Sequence, residues 1–585
     1  MQKFLQEVQR RNVFKVALVY IVVAWLTMQV VDVMFPALNV PEWLTSAIAI
    51  LLLIGLPFAL IFAWAFELTP DGIKREKDVD RSQSVTPVTG KKLNHIIIIT
   101  LAVSVGFLLV DKFMLQPGSP GEATTTALAE IKPSIAVLPF VNMSGDKENE
   151  YFSDGLSEEL LNVLAKIPQL HVAGRTSSFQ FKGTSEDLRL IGEKLNVANV
   201  LEGSVRKSGT RLRITAQLID TENGYHLWSN TYDRELTDIF AIKDEIAANV
   251  VEALRVTLLG EGTAIPSHGT SNLEAYNLYL QALYFRERLS ADNLAKARQS
   301  LEQAIGLDPD YATAYATLAI VHQLGISGFV GDGTDDFIRE FKTVHEYADT
   351  ALALDPSLPE AHVAKGVAAS AADWNFDVAD RHFSKALELA PNHVAALSWL
   401  GSTRKYQLRI DEAIVLYDKV MQLDPLSITG HRQLGDAYQF AGRLEDALEK
   451  YRGAMRLQPD AARIHGRMAR VYLVRSDFEK AAEHISLEPV EWVRDMYAIM
   501  LNSRGQNSDA VQAAATAYEE KYGVTNSYQL AEIYGYVGDL DNVFKWLQMC
   551  HEIHDPGMPW LQTSAFLASA RNDPRWPVVV ELAGL

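Results

Sequence analysis

Six prolines punctuate the C-terminal half of the chain: Pro309, Pro356, Pro391, Pro425, Pro459 and Pro489. The steps from 391 to 425 and from 425 to 459 are both 34 residues, the step from 356 to 391 is 35, and the step from 309 to 356 is 47, one period plus an insertion. A chain with this period builds one supersecondary unit per repeat, and each unit buries its apolar face only against its neighbours. Within residues 428–461, Leu434, Gly435 and Tyr438 share helical spacing on one segment, and Ala447, Tyr451 and Ala454 do so on the next. Small residues at 435 and 447 let paired helices approach closely, while the tyrosines fill the space between turns. Pro459 cannot continue the second helix and ends it. Leu400, Gly401, Ala413, Tyr417 and Pro425 repeat the pattern one unit earlier, and Gly366, Ala379, Phe383, Ala386 and Pro391 one unit before that.

Three units in register resemble the tetratricopeptide consensus. That resemblance implies an all-α superhelix of helix–turn–helix units whose concave surface holds protein or peptide partners. The repeats are assigned to 270–490. Ala297, Ala304 and Pro309 mark an early unit, and Ala319 opens one interrupted by the Gly-rich stretch 325–333. Ala469, Tyr472 and Ala481 mark a shortened unit ending at Pro489, and Trp492 opens further helices. Leu530, Tyr534, Gly538 and Trp546 carry the pattern into 491–585, read as degenerate repeats and a C-terminal cap.

The first 115 residues have a different character. Residues 13–31 and 43–66 are apolar and long enough to span a bilayer, and 96–110, extended by 113–115, is a shorter third candidate. The expected module has helices at about 13–35, 43–66 and 95–115. Lys3, Arg10, Arg11 and Lys15 precede or open the first, the loop 36–42 has no basic residue, and Lys74, Arg75, Lys77, Arg81, Lys91 and Lys92 lie between the second and third. The positive-inside rule then places the N-terminus in the cytoplasm and everything beyond residue 115 outside it. In a bacterium this is a multi-pass inner-membrane protein with periplasmic C-terminal domains. Asp32 and Asp111 mark helix ends at the water interface. Residues 116–132, rich in Gly, Pro, Thr and Ala, read as a linker.

Residues 133–260 read as a mixed α/β domain. The apolar run 134–140 is a buried strand, 155–166 a helix capped by Ser153 or Asp154, 170–173 a second strand and 188–195 a second helix. Residues 200–206, 211–218 and 225–232 form a meander with turns at Ser208-Gly209 and Asn223-Gly224, and 239–254 closes the domain as a helix. The motifs Tyr151-Phe152-Ser153-Asp154-Gly155-Leu156, Leu201-Glu202-Gly203-Ser204-Val205 and His226-Leu227-Trp228 resemble the domain related to the amino-terminal part of TolB and to FlgO-type proteins. Arg10-Arg11-Asn12-Val13-Phe14, the stretch from Ala63-Trp64 to Thr69-Pro70, and Asp573-Pro574-Arg575-Trp576 are similar to segments of multidomain bacterial proteins that carry it. The resemblance implies a membrane-anchored architecture and leaves the mechanism open. The fold class is therefore multidomain: a three-helix transmembrane module, a mixed α/β domain and an all-α tetratricopeptide superhelix.

No phosphate-binding Gly-Lys-Ser/Thr loop, kinase motif set or Gly-x-Ser-x-Gly elbow is present. His551 and His554 lack zincin spacing and have no third ligand in sequence, so they read as a solvated pair. The start of the helix at Gly155, with Arg175 beyond the second strand, reads as a capped helix beside a surface arginine rather than an anion site. Asn142-Met143-Ser144 fits a glycosylation acceptor pattern, and the single cysteine, Cys550, excludes an intrachain disulfide. Catalytic residues, metal ligands and cofactors are not expected. With 73 acidic against 54 basic residues and net charge −19, the chain has no broad positive field for nucleic acid. Local charge suggests a partner site instead. Taking Gly401, Gly435 and Ala469 as equivalent, Lys405, Arg432, Arg463 and Arg470 project from first helices onto the concave face, beside Tyr406 and Gln439. Guanidinium groups there suit carboxylates of an acidic peptide or a chain terminus. The expected function is a non-enzymatic scaffold. The alternative is a sensory protein whose α/β domain binds a small ligand.

Overall fold

The computed structural model describes residues 133–254, 269–328 and 334–585, together with 17, 20, 23, 24, 27, 28, 48, 51–57, 66–69 and 72–75. The chain divides into two compact units, 1–127 and 128–585. In the first, residues 51–57 are helical, and Tyr20 Oη donates to the Leu52 carbonyl at 2.8 Å, linking the first two apolar stretches. Strands β1 (Phe66–Thr69) and β2 (Gly72–Arg75) pair as an antiparallel hairpin. The three expected spans lie largely outside the described residues, and among the described residues no helix is long and apolar enough to cross a membrane.

The second unit opens with a small mixed sheet. Strands β3 (Ser134–Val137), β4 (Val141–Asn142), β5 (His171–Val172), β6 (Asn199–Ser208), β7 (Arg211–Asp220) and β8 (His226–Glu235) are ordered β5-β3-β6-β7-β8, with β4 also on β6. The β3, β4, β5 and β6 pairings are parallel, and β6-β7-β8 is the antiparallel meander. Its turns fall at Gly209 and Gly224, whose φ of +58° and +75° suit glycine. Helices α1 (Glu150–Ala165), α2 (Arg175–Phe179), α3 (Leu188–Leu195) and α4 (Ile239–Ala253) complete this part.

One sequence expectation is corrected here. Helix α1 begins at Glu150, five residues before Gly155, so Ser153 and Asp154 are buried inside it and cap nothing. Gly155 is a close-packing point instead: a Cβ there would meet Leu280 at 2.8 Å. Phe152 and Leu156 drive the earlier start, because both are buried in a core shared with the first repeat helices.

Those helices form pairs: α5 (Leu273–Arg286) with α6 (Ala291–Leu307), α7 (Ala312–Gly328) with α8 (Thr334–Leu354), and α9 (Pro359–Ala371) with α10 (Phe376–Leu389). Next come α11 (Val394–Tyr406) with α12 (Ile410–Leu423), α13 (Ile428–Phe440) with α14 (Leu444–Leu457), and α15 (Ile464–Val474) with α16 (Phe478–Leu487). The second helix of each of these pairs ends two residues before its proline. Inside the pairs, a Cβ on Gly366 would meet Phe383 at 2.6 Å, on Gly401 Tyr417 at 2.8 Å, and on Gly435 Tyr451 at 2.5 Å. Glycine on the first helix therefore admits the aromatic ring of the second, which is what the repeated spacing encodes. The 47-residue step is taken up by two long helices, and α7 runs through Gly325 rather than breaking there. Helices α17 (Glu491–Ser503), α18 (Asp509–Tyr522), α19 (Ser527–Val537), α20 (Leu540–Glu552) and α21 (Trp576–Leu582) continue the stack.

Two seams join sheet and repeats. Tyr276, Tyr279, Leu280 and Leu283 of α5 enter the apolar core of α1 and α4. At its edge Glu158 accepts from Arg175 at 2.8 Å and Arg286 at 2.5 Å, and Arg175 also reaches Glu287 at 2.6 Å. Arg175, expected on the surface, is thus part of the joint. Farther along, Asp424, just past α12, accepts from the Ser177 backbone N–H at 2.8 Å and its hydroxyl at 2.5 Å, capping α2 from another part of the chain.

Two histidine pairs bridge helices within repeats: His362 with His382 (Nδ1 to Nδ1, 3.1 Å) and His465 with His484 (2.9 Å). In each, one ring donates and the other accepts, which a doubly protonated pair cannot do. Burial lowers all four pKa values, His382 to about 4. A histidine held below its unfolded pKa of about 6.5 stabilises the fold above that pH and loses the contribution as pH falls toward the folded value. Urea midpoints are expected to drop from pH 7 to pH 5, and less so in a His382→Leu/His484→Leu variant. Identical slopes would remove these pairs as the cause.

Candidate functional site: a cation-lined cavity in the superhelix

First helices of successive repeats turn one face inward, so residues three or four apart on a helix point into the same space. Asp436 and Gln439 do this on α13. Arg463, at the start of α15, is joined by Arg467 and Arg470. Together with Trp399 and Tyr406 of α11 and Glu532 of α19, they surround a cavity of about 620 Å³. Arg432, one turn before Asp436, stands close enough for its charge to act on Lys405, Tyr406 and Asp436. The turn after α20 contributes to the cavity lining: Trp560, in a short 3-10 helix (Met558–Trp560), lines it, and His554 stacks on Trp374 at 3.9 Å with the rings 8° from parallel. Trp374 lies in the turn between α9 and α10, so the far end of the stack folds back onto its middle. His551 and His554 pack on that indole, and His554 lies beyond the end of α20. They are not the solvated pair expected from the sequence.

All six residues singled out in the sequence gather at this site, in different states. Lys405 is only 2% exposed, and its Nζ sits 4.3 Å from the Trp560 ring centre, 5.4 Å from Tyr406 and 5.5 Å from Phe440. It does not project into solvent as a free point of attachment. Burial pulls its pKa down to about 8 against the attraction of Asp436. Tyr406 is pushed up to about 12 by burial. Gln439 lines the cavity and accepts from Tyr451 Oη at 3.2 Å. Arg470 is already engaged, with Glu532 at 2.6 Å and Ser564 at 2.9 Å. The guanidinium groups of Arg432 and Arg463 have no carboxylate within 4 Å among the described residues, although the Arg463 backbone N–H donates to Glu488 at 3.3 Å, and burial lowers the pKa of both. Arg463 lies over the Trp492 ring at 5.2 Å.

The sequence reading missed Asp436, Arg467, Glu532 and Trp560. Asp436 accepts from Arg467 at 2.8 Å and from Tyr451 Oη at 2.8 Å. Burial raises its pKa, but Arg467, Lys405 and Arg432 outweigh this and hold it below the usual carboxylate value. Arg467 carried a usable signal, since it occupies the position of Trp399 two repeats earlier, two residues before the close-packing small residue. Glu532 and Trp560 carried none, because no repeat spacing relates them to this face. Among the described residues no cluster of three or more His, Cys, Asp or Glu could hold a metal ion.

No family model matches the chain. It is 41% identical over 241 residues to a protein of Rhizobium meliloti (strain 1021) named "Putative adenylate cyclase 3". The match covers 41% of this chain and 40% of that one, so the chain spans about two fifths of the relative's length. Similar solved structures include Pseudomonas aeruginosa pilF (19% identity, 37% of this chain, 94% of that chain, TM-score 0.30) and YrrB, described as "a TPR protein with an unusual peptide-binding site" (20%, 33%, 95%, 0.26). A thermophilic TPR protein of Thermus thermophilus is similar at 17% identity, covering 34% of this chain and 99% of its own, with TM-score 0.29. The C-terminal part of this chain is a tetratricopeptide-like superhelix, as its own helix pairs show.

Proposed function

We propose that this chain is a non-enzymatic adaptor, anchored in a bacterial inner membrane, whose repeats hold an acidic segment or terminus of a partner protein in the periplasm. The observation that carries the reading is the inward cationic face, where Arg432 and Arg463 lie near Tyr406 and Gln439 without carboxylates of their own. Such guanidinium groups gain most from an incoming carboxylate, because ion pairs strengthen where water is excluded. Anchoring rests on the apolar stretches, two of which touch through Tyr20 and Leu52, and on the placement of Lys and Arg around them. The match to a protein named as an adenylate cyclase covers less than half of either chain. It supports a shared module and brings no cyclase activity to this chain.

Crosslinking in cells tests the adaptor. The wild-type chain is expected to retain a defined set of envelope proteins, and an Arg432→Glu/Arg463→Glu variant inserted at the same level is expected to lose at least nine-tenths of that capture. Undiminished capture would remove the concave face from the reading. Reporter fusions after Leu115 test the topology, and cytoplasmic reporter activity there would overturn it.

A further inference from the structure

The cavity and its wall hold more positive charge than their own carboxylates neutralise. Five cations cluster there: Lys405, Arg432, Arg463, Arg467 and Arg470. Asp436 pairs with Arg467 and Glu532 with Arg470, while the side-chain nitrogens of Lys405, Arg432 and Arg463 have no carboxylate within 4 Å among the described residues. Two further acids lie nearby: Glu488 accepts from the backbone N–H groups of Arg463, Gly466 and Val490 and its charge acts on Arg463, and Asp555 accepts from those of Tyr528 and Gly557, so five cations face four carboxylates. A desolvated charge without a partner is unfavourable, and buried charges are ordinarily paired or matched by a ligand. The excess is notable in a chain of net charge −19.

Three further features narrow what would supply the missing negative charge. The volume of about 620 Å³ falls in the range of small-molecule sites, and residues of the turn at 555–560 form part of its lining. Aromatic rings stand beside the cations: Trp560 lies 6.1 Å from Tyr406 and 5.9 Å from Phe440, ring centre to ring centre. Finally, Asp436 Oδ2 and Tyr528 Oη are buried without a hydrogen-bond partner, and both residues line the cavity. An acceptor and a hydroxyl are therefore open to hydroxyl or amino groups of a guest.

We propose that this cavity binds a compact phosphorylated molecule with a planar ring, of the nucleoside monophosphate kind. Arg463 on the cavity lining, with Lys405 and Arg432 in the wall behind it, gives a positive field that suits a phosphomonoester, with its charge of about −1.5 to −2, better than a neutral guest. Guanidinium groups present the planar fork that fits phosphate oxygens. The ring stacks against Trp560 and its aromatic neighbours, and such base–aromatic stacking is tolerant of which base is present. Asp436 Oδ2 and Tyr528 Oη meet hydroxyl or amino hydrogens. This goes beyond the adaptor reading, and a partner's acidic tail would compete for the same cations.

The test is calorimetric titration of the purified full chain with AMP, adenosine, inorganic phosphate and benzoate as separate probes. AMP is expected to bind at least tenfold more tightly than any of the other three. Arg463→Gln is expected to weaken AMP at least tenfold and Trp560→Leu at least threefold, while Arg504→Gln, outside the cavity, leaves it unchanged. Arg432→Gln replaces Arg463→Gln if the latter unfolds. AMP binding no tighter than phosphate would overturn the ring assignment, and benzoate binding as tightly as AMP would overturn the phosphate. Absence of AMP binding, or indifference to both arginine substitutions, would overturn the site. Crosslinked partner capture surviving any of these results leaves the adaptor reading standing alone.

Discussion

Replacing Tyr451 with alanine is expected to destabilise the repeat array by about 3–5 kcal/mol, the cost of removing a large buried aromatic side chain. Tyr451 is fully buried, its ring fills the space opened by Gly435, and its hydroxyl donates to Asp436 at 2.8 Å. Tyr451→Phe keeps the packing and removes the hydroxyl's charge-assisted hydrogen bond to Asp436 together with its longer contact to Gln439, so about 1.5–3 kcal/mol is expected. Urea unfolding followed by circular dichroism separates the two. Neighbouring repeats stabilise one another, so the loss should appear as an earlier transition of the whole stack, not local fraying. A cost for the alanine variant no larger than that of an ordinary surface substitution, about 0.5 kcal/mol, would mean that the glycine–aromatic interlock does not hold the pair together.

The second large effect is expected where the sheet meets the repeats. Arg286→Ala should cost about 3–5 kcal/mol, the range for breaking a buried ion pair from one side. Glu158 has a side chain only 5% exposed, and burial already raises its pKa despite Arg286 and Arg175. Removing Arg286 leaves that carboxylate with one guanidinium and strips Glu287 of a partner at 2.8 Å. A Glu158→Gln/Arg286→Met variant, which removes charge from both sides, should recover at least half of the loss. If the double variant is as unstable as the single, lost packing by Arg286 and not unpaired charge explains the effect. Limited proteolysis of the segment before α5 reports whether the two parts separate.

Helix pairs were largely legible in the sequence because their cause is local. A glycine admits an aromatic ring about sixteen residues later, and a proline follows the end of the second helix by two residues. The meander was legible for the same reason: alternation along β7 and glycines at 209 and 224 act over a few residues. The start of α1 was misread because Tyr151 and Phe152 do not look helical until α5 supplies the surface that covers them. The site was half legible. Arg432 and Arg470 follow from helical spacing and the repeat period, whereas Arg463, expected on a first helix, sits just outside α15 at its N-cap with φ +66°, and the ionic state of none of them follows from spacing. Arg470 finds Glu532 sixty-two residues away, and Arg432 finds no such partner among the described residues.

The sequence by itself determined the repeating helix pairs, the meander and the inward direction of Lys405, Arg432 and Arg470, since each depends on spacing within about one repeat. Only the tertiary structure decided that α5 completes the core of the sheet domain, that Asp424 caps α2, and that Trp560 closes over Lys405. These contacts depend on the small rotation between successive repeats, accumulated along the stack. No local pattern records that sum, and it is what turns an open concave face into a cavity with an excess of positive charge.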